Sequence, residues 1–234
     1  MLLKEHIQRL TLEPEHEDYL LSRGCNDFYL KELQPVTFKA SSDIDDANFS
    51  YLFGSGGMQL NNFLILPLYS PKGDFIGFES RDVKVKNIQK YFIPSSSWNP
   101  LWGGLTSTVM NKIWGGKGDI WIVEGFFDMF ALSWVIPKDD VVLATIRAGL
   151  SASNIEFLKR YSENSMIKIV YDNDEAGRLA SVGGYDNQGR LKVGVVSKLK
   201  KEGLKAVPVY YHGKDPGAVW DSGGVYALQR EFCP

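Results

Sequence analysis

The chain has 234 residues, of which 44% are hydrophobic and 23% charged, so it can bury a core and form one large or two small domains. Its 26 basic and 28 acidic residues give a net charge of −2, which is no overall signature of a nucleic-acid-binding protein. No apolar run reaches the length of a membrane span, and the two distant cysteines, Cys25 and Cys233, exclude a zinc ribbon and a disulfide framework, so a cytoplasmic location is expected.

The first 40 residues predict a helix, a turn and a second helix. Acidic residues follow Glu15, and Arg23 with Gly24 closes the segment, which is the charge pattern and the stop signal of a helix. A small packing subdomain is a sufficient interpretation of this segment. Residues 41–57 are polar and rich in glycine, and they predict a loop or a hairpin tip.

Residues 60–93 predict an antiparallel hairpin. Two apolar runs flank the turn Pro71–Asp74, and the second run ends in Arg81. Basic residues continue from there to Lys90 and Tyr91. On its own, this basic stretch is typical of a strand edged by lysines.

Three apolar runs in the second half of the chain each end in acidic residues. Glu124 follows the first run, Asp172 and Asp174 follow the second, and Asp215 follows the third. Short apolar runs of this kind read as buried strands that feed helices, and open α/β sheets place their chemistry at the carboxyl ends of the strands. The four acids are therefore predicted to meet at one rim.

The segments between these acids predict helices. Residues 153–161 form a short amphipathic pattern, and a helix is expected to start at Asp174 and to run to Ser181. Turn residues occupy 182–189, and a further helix is predicted over 191–201 with its lysines outward. The basic residues of this last stretch are typical of a solvated helix face.

Four acids at one rim predict a bound cation. Like charges a few ångströms apart raise one another's pKa or need a positive ion. Ligands that are all oxygen, without a neighbouring histidine or thiol, favour Mg2+ or Mn2+ over zinc. An EF-hand beginning at Asp172 is excluded, because Ala176 and Gly183 stand where that calcium loop needs oxygen ligands.

The same acids carry a resemblance to a known family. Glu124-Gly-x-x-Asp128, Asp172-x-Asp174-Glu-Ala-Gly-Arg and Gly213-Lys-Asp215-Pro resemble the successive motifs of a toprim domain, the catalytic fold of DnaG-type primases, topoisomerases and some nucleases. The resemblance implies catalysis by Glu124, Asp172 and Asp174, with these residues and Asp215 as metal ligands. Asp128 either orients the ligands or interacts with the helix dipole, and both interpretations stay open.

A second resemblance lies in the hairpin region. Residues 60–93 resemble the segment of DnaG-type primases that precedes the toprim domain, and Arg81, Lys90 and Tyr91 fall on matching positions. Toprim nucleases and topoisomerases do not carry this segment. The resemblance implies an α/β fold, in which a mixed α+β subdomain over residues 1–118 precedes a toprim domain over 119–234 with a mostly parallel sheet.

The function implied by the resemblance is that of a DNA primase, a DNA-dependent RNA polymerase that makes short primers on single-stranded DNA. Nucleoside triphosphates would be the substrates, and Arg81, Lys90 and Tyr91 would bind nucleotides or nucleic acid. A toprim nuclease is the enzymatic alternative. An inactive toprim scaffold that binds nucleic acid or a replication partner is the alternative from another class.

The chain departs from the family pattern at three places. Gly104 stands near the position of a family lysine, with Lys112 or Lys117 as candidate substitutes, and Gly217 replaces a second acid. Arg147-Ala148 stands where the family carries Gly-Thr. The resemblance covers neither a zinc ribbon nor a helicase-docking module, which suggests a phage or mobile-element primase. A helicase or template-recognition protein is then expected to act in trans.

Overall fold

The structure, a computed structural model, describes residues 10–38, 62–84, 89–92, 102–146 and 149–233. In these ranges the chain forms an α/β fold with an antiparallel sheet, a parallel sheet and a two-stranded ribbon. The predictions for residues 41–57 and for Arg147-Ala148 lie outside the described residues. No helix of the described part is both long and apolar enough to cross a membrane.

The helices and strands are numbered here in chain order. The helices are α1 (Pro14–Ser22), α2 (Asp27–Leu33), α3 (Ser107–Gly115), α4 (Phe126–Leu132), α5 (Ala152–Tyr161), α6 (Glu175–Ser181), α7 (Val195–Lys201) and α8 (Pro216–Phe232). The strands are β1 (Val36–Phe38), β2 (Phe63–Tyr69), β3 (Phe75–Asp82), β4 (Gln89–Phe92), β5 (Ile120–Val123), β6 (Val141–Ala144), β7 (Ile167–Ile169), β8 (Gly183–Tyr185), β9 (Leu191–Val193) and β10 (Ala206–Pro208).

The amino-terminal part confirms the predicted helix pair and hairpin. Helix α1 ends before Gly24, whose φ of 85° is a left-handed conformation that glycine adopts without strain. The Asn26 side chain then accepts a hydrogen bond from the Tyr29 backbone and starts α2. Strands β1 to β4 follow one another in an antiparallel sheet, with β2 and β3 forming the predicted hairpin.

The parallel sheet has the strand order β10-β7-β5-β6, which matches the predicted mostly parallel sheet flanked by helices. Its central strand β5 is buried along its whole length. Ile120 and Ile122 pack in one hydrophobic cluster, whereas Trp121 and Val123 pack in another. Because successive side chains of a strand point to opposite faces, these four residues fix β5 between two layers of helices.

One hydrophobic cluster joins the two sheets. It contains Leu64 and Leu66 of β2 together with Trp121 and Phe126 of the parallel-sheet region. Burial of apolar surface stabilises a fold by about 25 cal/mol per Å2. The antiparallel sheet is therefore packed against the parallel-sheet region, and the division at residue 118 stays a proposal.

The prediction of a continuous helix over 191–201 is wrong in its first turn. Leu191–Val193 pairs with Gly183–Tyr185 as the ribbon β8–β9, and α7 begins at Val195. Gly183 has a φ of 86°, and a side chain on Gly194 would overlap the Gly183 backbone. The two glycines thus allow a close reversal of the chain that the apolar periodicity alone did not reveal.

Gly104 occupies a crowded position beside α4. Its neighbour Gly103 forms an isolated antiparallel bridge with Ala144, at the end of β6. Gly104 has a φ of 81°, and a Cβ atom there would overlap the sulfur of Met129, which is fully buried. A lysine therefore does not fit at this position without rearrangement of the core.

Replacement of Gly104 by alanine should destabilise the protein more than the same change at Gly73. Gly73 has nearly the same φ, 82°, but open space around it, so Gly73→Ala carries only the cost of the left-handed conformation. That cost is about 1–2 kcal/mol. Gly104→Ala should lose about 1–3 kcal/mol more, through overpacking against Met129. Urea unfolding of the two variants checks this, and equal losses would contradict the packing described here.

Candidate active site

The four predicted acids lie where parallel strands end. Glu124 follows β5, Asp172 and Asp174 lie in the segment between β7 and α6, and Asp215 immediately precedes α8. The Glu124 carboxylate accepts a hydrogen bond of 3.3 Å from the Asp172 backbone N–H. The structure therefore brings these residues to one edge of the sheet, as the strand pattern predicts.

Two of the acids also start helices. The Asp174 side chain accepts a hydrogen bond of 2.8 Å from Gly177 N–H at the start of α6, and Asp215 accepts one of 2.6 Å from Ala218 N–H at the start of α8. Such caps satisfy backbone donors that have no partner within the helix, and the helix dipole favours the negative charge. Local structure thus fixes both carboxylates at the rim.

Asp128 connects the rim to α8. Its Oδ1 atom accepts a hydrogen bond of 3.0 Å from the Gly217 backbone N–H, in the first turn of the helix that Asp215 caps. Burial, followed by the negative charge of Asp215, raises the pKa of Asp128 to about 8. The backbone of Gly125, at the start of the helix that holds Asp128, also hydrogen-bonds this carboxyl group, so the orienting role and the helix-dipole role both stay predictions.

The carboxylates of the rim share one electrostatic environment. Burial raises the pKa of Asp172 to about 7, and the charges of Glu124 and Asp215 add to the shift. The pKa of Glu124 is also raised, first by burial and then by neighbouring carboxylates, against the hydrogen bond from Asp172. Negative charge at this edge is therefore under-compensated, and protonation or a cation would relieve it.

The donor atoms fit a hard divalent cation, because the rim presents carboxylate oxygens without a histidine or a thiol beside them. Within the described ranges, however, no group of three or more His, Cys, Asp and Glu side chains is gathered closely enough to hold an ion. The carboxylates are thus close enough to raise one another's pKa values, but they are not gathered closely enough to coordinate one ion. Binding of a cation would require side-chain adjustment at the rim.

Arg81 lies next to the helix that follows Glu124. Its guanidinium is 4.2 Å from the ring centroid of Phe127, which precedes Asp128 in the first turn of α4. A cation over an aromatic face is stabilised by the ring quadrupole. Lys90 and Tyr91 lie on the neighbouring strand β4, where their backbones pair with Ser80 and Glu79. The amino-terminal sheet therefore reaches the vicinity of the acidic rim.

The candidate substitutes for the missing family residues lie elsewhere. Lys112 donates a hydrogen bond of 2.8 Å to the Lys138 carbonyl, just before β6, and Lys117 just precedes β5. Both lysines are thus at the amino ends of the parallel strands, opposite the acidic rim. Asp221 pairs with Arg23, the residue that follows α1, and does not replace the acid missing at Gly217.

Arg23 is a rim residue that sequence reasoning missed. Its guanidinium lies 5.3 Å from the Phe127 ring centroid, and its Nη2 atom lies 3.4 Å from where a Cβ of Gly217 would stand. The Trp220 indole donates a hydrogen bond of 2.8 Å to the Ser22 carbonyl beside it. The helix-stop pattern at Arg23-Gly24 does not indicate this contact with Phe127, which depends on residues far apart in the chain.

Glu79 is a second residue that the sequence did not indicate. It is 2% exposed, and its carboxylate lies 4.0 Å from Arg81. Burial raises its pKa to about 7, and the positive charge of Arg81 opposes that shift. The buried carboxyl group of Glu79 thus lies beside the Arg81 guanidinium, which contacts Phe127.

The change Glu79→Gln should raise the free energy of unfolding more at pH 8 than at pH 4. Glu79 ionises near pH 4.5 when unfolded and near pH 7 when folded, so its contribution to the free energy of unfolding falls as pH rises through that window. Each pKa unit corresponds to ~1.4 kcal/mol, so the rise from 4.5 to about 7 predicts a relative gain on the order of 3 kcal/mol for the variant. Glu17→Gln on the exposed face of α1 is the control, and an equal pH response of both variants would refute the assignment.

The chain is similar in sequence to a family model and to two known proteins. Residues 121–216 match the model of the toprim-like family. The chain is 33% identical to a DNA primase of Clostridium acetobutylicum over 132 residues, which is 55% of this chain and 21% of that protein. It is also 33% identical over 129 residues to an uncharacterised protein of Mycoplasma genitalium, covering 53% of this chain and 55% of that protein.

Solved structures of primases share the fold of this chain over nearly its whole length. A DNA primase domain from Pseudomonas aeruginosa has a TM-score of 0.66 at 16% identity, with 97% of this chain and 76% of that chain covered. The zinc-binding and RNA polymerase domains of the Aquifex aeolicus primase give a TM-score of 0.61 at 20% identity, with 94% and 56% covered. The fold is that of a DnaG-type primase core with a toprim domain. This primase-like core spans about a fifth of the clostridial relative and about half of the mycoplasmal one.

Proposed function

We propose that the chain is the RNA-polymerase core of a DNA primase, which uses nucleoside triphosphates to make short RNA primers on single-stranded DNA. The observation that carries the proposal is the acidic rim of the parallel sheet, with Arg81 of the neighbouring sheet held over Phe127 beside it. The match to a clostridial DNA primase supports it. A toprim domain alone would be equally compatible with other chemistries.

In this proposal Glu124, Asp172, Asp174 and Asp215 hold Mg2+ or Mn2+. Such an ion would bind the triphosphate and would stabilise the negative charge that develops as a 3′-hydroxyl attacks the α-phosphate and pyrophosphate leaves. Asp128 would hold the start of α8, and with it Asp215, through the contact with Gly217. No zinc is required by any of these residues.

Arg81, Lys90 and Tyr91 would bind the nucleotide or the nucleic acid. Arg81 is suited to phosphate because its planar guanidinium donates paired hydrogen bonds. Its position over Phe127 limits the motion of the side chain. The cation–π contact would thereby pre-organise the phosphate-binding group next to the acidic rim.

An inactive toprim scaffold is the second candidate. It is favoured by the lack, among the residues that the structure describes, of three acids gathered for a cation. In that case the chain would bind nucleic acid or a replication partner without turnover. A metal-dependent toprim nuclease would use the same acids with water as the nucleophile, and a nuclease assay distinguishes it.

Template recognition is proposed to come from a further protein in trans, either a helicase or a DNA-binding partner. The isolated chain would then prime weakly, because single-stranded DNA would be held mainly by local basic patches. A cytoplasmic location agrees with these proposed substrates.

The variants Glu124→Gln and Asp172→Asn should abolish incorporation of labelled nucleoside triphosphates on mixed single-stranded templates in Mg2+ or Mn2+. Each removes one proposed ligand and one negative charge from the rim. Their stability at pH 8 should be unchanged or raised, because each wild-type carboxylate has a raised pKa. The wild-type chain should incorporate the labelled nucleotides, and it should cleave no DNA in a parallel nuclease assay.

Glu175→Gln is the matched control for the loss of one acid beside the rim, because this exposed residue follows Asp174 but is not a proposed ligand. It should keep most of the activity. Full activity of Glu124→Gln and Asp172→Asn would end the proposal of a metal site. A wild-type chain that neither incorporates nor cleaves, yet binds DNA, would favour the inactive scaffold.

The variants Arg81→Ala and Lys90→Ala should raise the nucleotide concentration needed for the first dinucleotide more than they weaken template binding. The reason is that both side chains are proposed to contact nucleotide phosphates. Initiation assays over a range of nucleoside triphosphate concentrations, with DNA binding measured in parallel, check this. Equal losses of DNA binding and synthesis would assign both residues to the template strand.

A further inference from the structure

Two neighbouring loops carry three of the four rim acids. The 170–174 loop follows β7 and holds Asp172 and Asp174, whereas the 209–215 loop follows β10 and ends at Asp215. Strands β7 and β10 pair in parallel, so both loops leave the same edge of the sheet side by side. The spacing of the two loops therefore decides how far apart their acids lie.

The Tyr211 hydroxyl lies between the two loops. It donates a hydrogen bond of 3.0 Å to the Tyr171 carbonyl, and Tyr171 directly precedes Asp172. It also lies 3.3 Å from the Lys214 carbonyl, and Lys214 directly precedes Asp215. Because a tyrosine hydroxyl has a single hydrogen to donate, the two carbonyls share it. One side chain thus contacts the backbone next to an acid of each loop.

Asn173 adds further contacts between the same loops. Its backbone N–H donates a hydrogen bond of 2.6 Å to the Lys214 carbonyl. Its side-chain Nδ2 atom donates one of 3.0 Å to the Tyr211 carbonyl. Tyr211 therefore joins the loops through its backbone as well as through its hydroxyl.

The Tyr211 ring is held by the carboxyl end of α8. The residue is 8% exposed, and its ring centroid lies 5.0 Å from that of Phe232. The next residue, His212, donates a backbone hydrogen bond of 2.7 Å to the Glu231 carboxylate. Burial, followed by the negative charge of Asp128, raises the pKa of Tyr211, so the hydroxyl keeps its proton and remains a donor.

Electrostatic repulsion opposes the contact between the loops. After burial and the charge of Glu124, the charge of Asp215 adds to the raised pKa of Asp172. The carboxylates of Asp172 and Asp215 therefore repel each other when both are ionised. The Tyr211 hydroxyl counteracts this repulsion from a buried position, where a hydrogen bond is stronger than in water.

We propose that Tyr211 is a positioning residue of the acidic rim, whose hydroxyl holds the 170–174 loop and the 209–215 loop at a fixed spacing. The consequence rests on the proposed function, because this spacing would set how tightly Asp172 and Asp215 bind a Mg2+ or Mn2+ ion together. Without the hydroxyl the loops would move apart, and part of the binding free energy of the ion would be spent on bringing them together again.

The first test measures Mn2+ binding at pH 8 from the electron paramagnetic resonance signal of free Mn2+. Tyr211→Phe keeps the ring and removes the hydroxyl. Its Kd for Mn2+ should be about 2- to 13-fold higher than that of the wild type, which corresponds to the roughly 0.5–1.5 kcal/mol of one hydrogen bond. Tyr69→Phe is the matched control, because the Tyr69 hydroxyl donates a hydrogen bond of 3.3 Å to the Leu33 carbonyl at the end of α2. This control should keep the wild-type Kd.

Hydrogen–deuterium exchange without metal tests the contact between the loops itself. In Tyr211→Phe, the 170–174 and 209–215 loops should exchange faster than in the wild type, because the bond from Asn173 to Lys214 loses its support. Asn173→Ala removes the side-chain bond to Tyr211 and should act in the same direction. Tyr69→Phe should leave both loops unchanged. Wild-type exchange of both loops in Tyr211→Phe would overturn the inference.

Combined outcomes separate the inference from the proposed function. Mn2+ binding and primer synthesis by the wild type, with both unchanged in Tyr211→Phe, would overturn only the positioning role. No Mn2+ binding by the wild type, with faster loop exchange in Tyr211→Phe, would support the contact between the loops and contradict the proposed metal site. A Kd raised equally in Tyr211→Phe and Tyr69→Phe would assign the effect to a general loss of stability and overturn the inference.

Discussion

Packing of hydrophobic side chains on both faces of β5 holds several carboxylates at the carboxyl edge of one parallel sheet. Asp174 and Asp215 are stabilised there because each caps a helix, whereas Glu124 and Asp172 carry raised pKa values from burial and mutual repulsion. Repulsion of this kind costs folding free energy. The hydrophobic clusters on the two faces of β5 hold the strand ends in place in spite of it.

The same edge couples the two sheets. Phe127 lies in the first turn of α4, where the side chains of Arg23 and Arg81 both approach its ring. Its neighbour Asp128 contacts the start of α8. A single helical turn thus contacts Arg23 after α1, the antiparallel sheet through Arg81, and the start of α8.

The strands, the hairpin and the four rim acids were predictable because each depends on local patterns: apolar runs, turn residues and an acid at the end of a strand. The buried Glu79 and the contact between Arg23 and Phe127 were not, because they depend on packing between segments far apart in the chain. The sequence pattern at Leu191 predicts a helix in place of the β8–β9 ribbon for a related reason. Gly183 and Gly194 come close enough for a chain reversal only in the folded structure.

The most direct test of the account is the unfolding temperature as a function of Mn2+ concentration at pH 8 and at pH 5. A cation that binds only the folded rim should raise the midpoint progressively with its concentration. The effect should be much smaller at pH 5, where the raised pKa of the proposed ligand Asp172, about 7, keeps this carboxyl group protonated. A midpoint that Mn2+ does not move at pH 8, or moves equally at both pH values, would contradict a cation site at the rim.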